Sequence, residues 1–170
     1  MELLVPDPSL VVLIGPSGSG KSTFAARHFR ATEIISSDHA RALVSDDEND
    51  QAATPAAFRI LYAIARERLR ARRLAVIDAT NVRPESRKPL IQVARKRDLP
   101  AVAIAFDLPE GTCQERNRSR THRTLPSDVV RQQCAEMSRS MPGLPNEGFY
   151  CVYVLDSADA VEAAKVIRRP

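Results

Sequence analysis

The chain has 170 residues, a formal net charge of +4, 44% hydrophobic and 27% charged residues, which excludes disorder and is long enough to bury one core without disulfides or metal. Three cysteines, Cys113, Cys134 and Cys151, form no CxxC pair, so neither a disulfide framework nor a zinc site is suggested and thiols in a reducing cytoplasm fit best. The N-terminal stretch "MELLVPDPSLVVLIG" lacks a basic leader and a small-residue cleavage site, and its apolar run is too short to span a bilayer. The expectation is a single domain over residues 1–170, cytoplasmic and without membrane contact. All but four of the basic residues are arginine, and the positive charge permits a polyanionic partner without requiring one.

In chain order, strands are expected at 10–14 ("LVVLI"), 33–35 ("EII"), 74–77 ("LAVI"), 101–106 ("AVAIAF") and 150–155 ("YCVYVL"). Continuous apolar runs mark strands buried on both faces, as in a parallel sheet covered by helices. Helices are expected at 21–29, from Thr54 onward, at about 84–97, and at 109–120, 127–140 and 157–168. Thr54 reads as an N-cap followed by Pro55 at the first helical position, with Phe58, Leu61, Ala65 and Leu69 at helical spacing. The acidic stretch "SDDENDQ" (45–51) reads as a solvated loop outside the chemistry. Repeated β-α-β units predict a doubly wound α/β fold with a five-stranded parallel sheet and ligands at the carboxyl ends of the strands.

Residues 15–22, "GPSGSGKS", match GxxxxGK[ST] in full, after a strand and at the start of a helix. Gly15, Gly18 and Gly20 let the backbone wrap a phosphate with successive N–H groups pointing inward, and the helix N-terminus adds a favourable partial charge. Ser17, Ser19 and Thr23 complete this donor loop. Lys21 reaches the β and γ phosphates, and Ser22 offers a hydroxyl to Mg²⁺. Asp78 closes its strand where an aspartate holds the metal, or else it stabilises the following turn through backbone amides.

A P-loop establishes nucleotide binding, which motors, switches and small kinases share. The segment "ERNRSRTHR" (115–123) is a candidate lid: if helical, Arg116, Arg120 and Arg123 fall on one face and Arg118 points elsewhere. Cations over a triphosphate offset charge on the moving phosphoryl group; the alternative is a solvated basic helix. In "SSDHAR" (36–41), Asp38 has three candidate roles, as helix cap, metal ligand or proton acceptor. If a helix begins there, Asp38 and Arg41 lie one turn apart and face one pocket. A carboxylate beside a guanidinium suits an acceptor that brings a hydroxyl and a phosphate. Thr80 and Asn81 are assigned to the same acceptor side. Aromatic residues make up 5% of the chain and no strip of aromatic and basic residues is legible, so little base readout is expected.

The segments "LVVLIGPSGSGKSTFA", "ISSDHARALVSDDENDQ", "DATNVRPESRKPLI", "CQERNRSR" and "EGFYCVYVL" together resemble the 5′-hydroxyl polynucleotide kinase module of the bacterial polynucleotide kinase/phosphatase RNA repair family. The resemblance implies a P-loop kinase fold with an arginine-bearing lid. It implies ATP or another NTP as phosphate donor, Mg²⁺ or Mn²⁺ as metal, and 5′-OH RNA or DNA ends as acceptor. By position, Lys21 and Ser22 match the donor-phosphate and metal residues, Asp38 the general base, Arg41 the acceptor-phosphate anchor and Arg116 the lid arginine, with Arg120 and Arg123 as further lid contacts. It also implies phosphatase and ligase-like modules on a longer natural chain. The residues themselves leave two other readings open, a small-metabolite kinase acting on a sugar acid or nucleoside, and an NTP-binding switch that transfers nothing.

Overall fold

The structure, a computed structural model, describes residues 1–121 and 124–170. Among them are seven strands: β1 (Glu2–Pro6), β2 (Leu10–Ile14), β3 (Ile34–Ser36), β4 (Ala75–Asp78), β5 (Ala101–Phe106), β6 (Cys151–Leu155) and β7 (Lys165–Arg169). Five of these form a sheet in the order β3-β4-β2-β5-β6, every pairing parallel. Parallel neighbours require crossovers, here supplied by α1 (Lys21–His28), α2 (Ser37–Ser45), α3 (Thr54–Arg70), α4 (Pro84–Arg95), α5 (Glu110–Arg118) and α6 (Ser127–Ser140). The α/β architecture with a five-stranded parallel sheet is therefore as expected.

The central strand shows why its sequence is apolar throughout. Leu10, Val12 and Ile14 point to one core with Leu61 of α3, Leu90 of α4 and Met137 of α6. Val11 and Leu13 point to the other, with Phe24 of α1, Cys113 of α5 and Val130 of α6. A strand buried on both faces has no polar side to alternate.

Three expectations give way. The helix expected at 157–168 stops early: α7 (Ala158–Ala163) is followed by β7, which pairs in parallel with β1 from Glu2 opposite Lys165 to Pro6 opposite Arg169. Arg168 ties β7 to the residue after β1 by donating to Asp7 at 3.4 Å, and to the residue before β3 by donating to Glu33 at 2.9 Å. A pairing between the two ends of the chain leaves no local periodicity to detect. Thr54 is the first residue of α3 and not its cap; the preceding turn is capped by Asp50, whose carboxylate accepts from the Ala52 N–H at 2.9 Å. Helix α5 ends at Arg118, two residues before the expected limit. No helix among the described residues is long and apolar enough to cross a membrane.

Candidate active site

The loops leaving β2, β3 and β4 converge on a cavity of about 600 Å³ at the carboxyl ends of the strands. In the first loop, Gly18 has φ +84°, and a Cβ there would stand 2.3 Å from the carbonyl oxygen of Cys113. Only glycine lets the loop pass so close beneath α5. Gly20, at φ +98°, precedes α1 without a side-chain cap, which leaves the first-turn N–H groups and the positive end of the helix dipole for an anion.

Lys21 is buried and folds back along this loop, its Nζ donating to the Pro16 carbonyl at 2.8 Å and to Ser19 Oγ at 3.3 Å. Desolvation pulls its ammonium down to a pKa of about 8, against the opposing pull of Asp78 and with added repulsion from Arg120. Asp78, at the end of β4, is buried too. Its desolvation pushes the carboxyl up, while the Lys21 charge and a hydrogen bond from Ser22 hold it down. Ser22 and Asp78 thus bring a hydroxyl and a carboxylate together, a hard-oxygen pair that fits Mg²⁺ or Mn²⁺. Among the described residues no group of three or more His, Cys, Asp or Glu is arranged to hold a metal ion by itself; an ion here would need phosphate oxygens and water as further ligands, which is how Mg²⁺ is commonly held.

Helix α2 forms another wall. Its cap is Ser36, whose Oγ accepts from the His39 N–H at 3.3 Å, so the capping role considered for Asp38 passes to Ser36. Asp38 lines the cavity and is ion-paired with Arg41. Arg41 is buried, and its Nε donates to the Glu48 carbonyl at 2.8 Å. That bond draws the acidic loop inward, and Asn49 and Gln51 line the cavity. The loop at 45–51 therefore borders the site instead of lying outside it, because a buried guanidinium needs more acceptors than one carboxylate supplies.

Thr80 lines the cavity, and its carbonyl accepts from the Gly15 N–H at 2.8 Å. Asn81 does not line it. With φ +48° and 2% exposure it donates from Nδ2 to the Leu13 carbonyl at 2.8 Å, pinning the loop after β4 to β2. Its assignment to the acceptor is corrected to a strut. Beneath it, fully buried Arg87 donates from Nη1 to the Asn81 carbonyl at 2.8 Å and from Nε to Glu147 at 2.7 Å.

Arg116 approaches the donor loop from α5, its Nη1 3.5 Å from the Ser19 carbonyl, and lines a second cavity of about 260 Å³ with Gly20, Thr23, Arg27 and Val161. Arg120 lines both cavities. It does so from beyond the end of α5, so the expected helical face shared by Arg116 and Arg120 is not formed. The helix gives way because Asn117, 1% exposed, bonds both backbone groups of Leu125, at 2.8 Å to its carbonyl and 3.1 Å from its N–H. Arg123 lies outside the described residues.

Several lining residues fall outside the site expected from the sequence, among them Gln133 and Phe58. Gln133 of α6 accepts from the Ser17 N–H at 2.8 Å and ties α6 to the donor loop; Phe58 of α3 supplies an aromatic wall. Neither lies in a motif, and only packing reveals them.

A family model described as an AAA domain matches residues 10–144. A search of curated proteins finds no match. Among solved structures, the chain is similar to one in the Pnkp1/Rnl/Hen1 RNA repair complex, with TM-score 0.70 and 22% identity over 81% of this chain and 46% of that one. A second structure of a Pnkp1/Rnl/Hen1 complex gives TM-score 0.56 and 26% identity over 70% of this chain and 40% of that one. A gluconokinase from Sinorhizobium meliloti 1021 gives TM-score 0.56 and 22% identity over 93% and 87%. The chain thus spans less than half the length of the repair-complex chains it matches, and its fold is that of P-loop kinases.

Proposed function

The chain belongs to the AAA domain family, and from that premise we propose that it is a polynucleotide 5′-hydroxyl kinase, moving the γ phosphate of ATP or another NTP to the 5′-OH end of RNA or DNA in nucleic-acid repair. The observation that carries this reading is the Asp38–Arg41 ion pair on the wall of the cavity that also holds Lys21, Ser22 and Asp78. A phosphate-donor loop faces a carboxylate and a guanidinium held together, which matches an acceptor bearing a hydroxyl and a nearby phosphate.

In this mechanism the donor's β and γ phosphates lie along the loop from Gly15 to Thr23, under Lys21 and the first-turn amides of α1. Asp38 accepts the hydrogen bond of the acceptor hydroxyl. A bond forms from that oxygen to the γ phosphorus, the bond to the β–γ bridging oxygen breaks, the proton passes to Asp38 and the nucleoside diphosphate leaves. A carboxylate paired with arginine is a weak base, which suffices because a loose transition state needs little proton removal until late. Arg41 anchors the phosphate that follows the first nucleoside, and Thr80 borders the same acceptor space. Arg116 and Arg120 offset charge on the transferring group. Ser22 and Asp78 would hold Mg²⁺ or Mn²⁺, which when bound would supply charge neutralisation at the donor phosphates. The proposal extends to phosphatase and ligase-like modules acting on the same strand ends, in keeping with the RNA repair complex among the similar structures.

The test offers γ-labelled ATP with a 5′-hydroxyl oligonucleotide, free nucleosides and gluconate. Label on the oligonucleotide is expected. Label confined to the small molecules would replace the reading with a metabolite kinase, and hydrolysis unaffected by any acceptor would replace it with a switch.

A further inference from the structure

The acceptor cavity does not end at Phe58. That residue also borders an opening of about 400 Å³ with Tyr62, Arg83, Glu85 and Ser86. Tyr62 in turn borders a third opening, of about 510 Å³, with Arg66, Gln92, Lys96 and Arg97. Sharing one wall residue at each step, the openings succeed one another away from the site along the seam between α3 and α4. Phe58, Tyr62 and Arg66 stand at i, i+4 and i+8, one face of α3, each step rising roughly 6 Å. The two rings lie 6.0 Å apart between centroids.

The charge of this seam grows with distance from the cavity. Arg83 is held by Glu136, and Glu85 sits beside it. Arg66, Lys96 and Arg97, further along, are exposed and make no ion pair among the described residues. Three exposed cations bordering one opening favour an anionic partner.

We infer that the seam is a binding track for single-stranded polynucleotide, holding the part of the acceptor beyond its first nucleotide; the inference rests on the polynucleotide reading above. Aromatic rungs near the site followed by cations are the combination that holds a single strand, since rings stack bases of any sequence and cations follow the backbone. The strip is not legible in the sequence, and stacking of this kind is compatible with the little base readout expected from it. Tyr62 and Arg66 belong to α3 while Lys96 and Arg97 follow α4, about thirty residues later, so the strip is assembled only by packing.

The experiment measures anisotropy of a dye-labelled 5′-hydroxyl single-stranded 12-mer on the whole chain at several salt concentrations, with transfer to a nucleoside 3′-monophosphate followed in parallel. The parent should bind the 12-mer with an affinity that falls as salt rises. The triple variant Arg66→Ala/Lys96→Ala/Arg97→Ala should bind it at least about tenfold more weakly and reduce the salt slope by about two, near 0.7 per lost phosphate contact. Tyr62→Leu, which keeps an apolar side chain, should weaken binding by about fivefold or more. Neither variant should alter transfer to the mononucleotide, which ends inside the main cavity. Unchanged 12-mer affinity in both variants overturns the track, as does equal displacement of the strand by polyglutamate, which would mark the seam as a general polyanion surface. The two proposals fail separately: transfer to neither acceptor, with 12-mer binding still lost in the variants, sinks the kinase reading alone, whereas transfer to both acceptors with variants binding like the parent sinks the track alone.

Discussion

Asp38 and Arg41 are ion-paired one turn apart in α2, and Arg41 is fixed from behind by its 2.8 Å bond from Nε to the Glu48 carbonyl. The carboxylate is thereby held at the cavity wall by a buried partner, while the helix is capped by a different residue, Ser36. Capping belongs to Ser36, so the proton-acceptor role proposed for Asp38 can be tested apart from it.

Asp38→Asn should lower transfer to a 5′-hydroxyl acceptor by roughly 10²–10⁴-fold, the usual contribution of a positioned general base, with little change in the urea midpoint. Ser36→Ala should do the reverse, costing about 0.5–2 kcal/mol of stability with a small effect on rate. Full activity in Asp38→Asn would rule out the proton-acceptor role.

Arg41→Ala should remove discrimination between acceptors with and without a phosphate on the first nucleotide. A charge-assisted hydrogen bond contributes about 1.5–3 kcal/mol, so the parent's preference in kcat/KM should be roughly 10- to 150-fold and should shrink toward unity. A preference that survives the substitution would assign the anchor to another residue.

Lys21 sets a pH dependence. Burial lowers its pKa from 10.5 to about 8, so between those values the unfolded chain binds more protons at this residue than the folded one. The stability of the ligand-free protein should therefore gain from Lys21 as pH rises from about 8 toward 10.5, a contribution that is lost as pH falls through 8. Nucleotide opposes this shift, because phosphate favours the charged ammonium. Binding near pH 8 should take up protons, seen by calorimetry in buffers of different ionisation enthalpy, and affinity should fall as pH climbs above 8. Lys21→Met should abolish the uptake.

Gly18→Ala places a methyl group 2.3 Å from the Cys113 carbonyl oxygen at φ +84°. Either the donor loop or α5 must shift, so nucleotide affinity should drop by at least about tenfold even where the fold survives, a strain of order 1–3 kcal/mol being typical of such positions. Titration with a fluorescent nucleotide measures it.

Arg87→Ala should destabilise the protein by about 3–5 kcal/mol, because it strips a buried partner from Glu147 and frees the Asn81 carbonyl. Glu147→Gln should cost less, since the amide oxygen still accepts from the guanidinium. Chemical denaturation of both variants distinguishes a charge pair from simple packing.

The donor loop was legible because its chemistry is contiguous: eight residues supply the turn, the amides and the lysine, and their order alone specifies them. The parallel strands were legible because burial on both faces leaves an uninterrupted apolar run. The Asp38–Arg41 pairing was legible for the same local reason, one helical turn of spacing. The roles of Asn81 and Arg87 were not, since an asparagine in an acceptor-side motif and an arginine in a basic helix look solvent-directed until the Leu13 carbonyl and Glu147 are placed beside them.

The sequence by itself therefore determined the α/β class, the glycine-rich loop and the Asp38–Arg41 spacing on which the proposed acceptor site rests, each encoded by neighbours in the chain. Only the tertiary structure decided that 45–51 turns into the site, that α5 stops at Arg118 under the hold of Asn117 on Leu125, that β1 finds β7 at the far end of the chain, and that α3 and α4 pool their aromatic and basic residues along one seam. These depend on buried polar groups seeking partners and on helices packing side by side, contacts between residues far apart in sequence that no local pattern records.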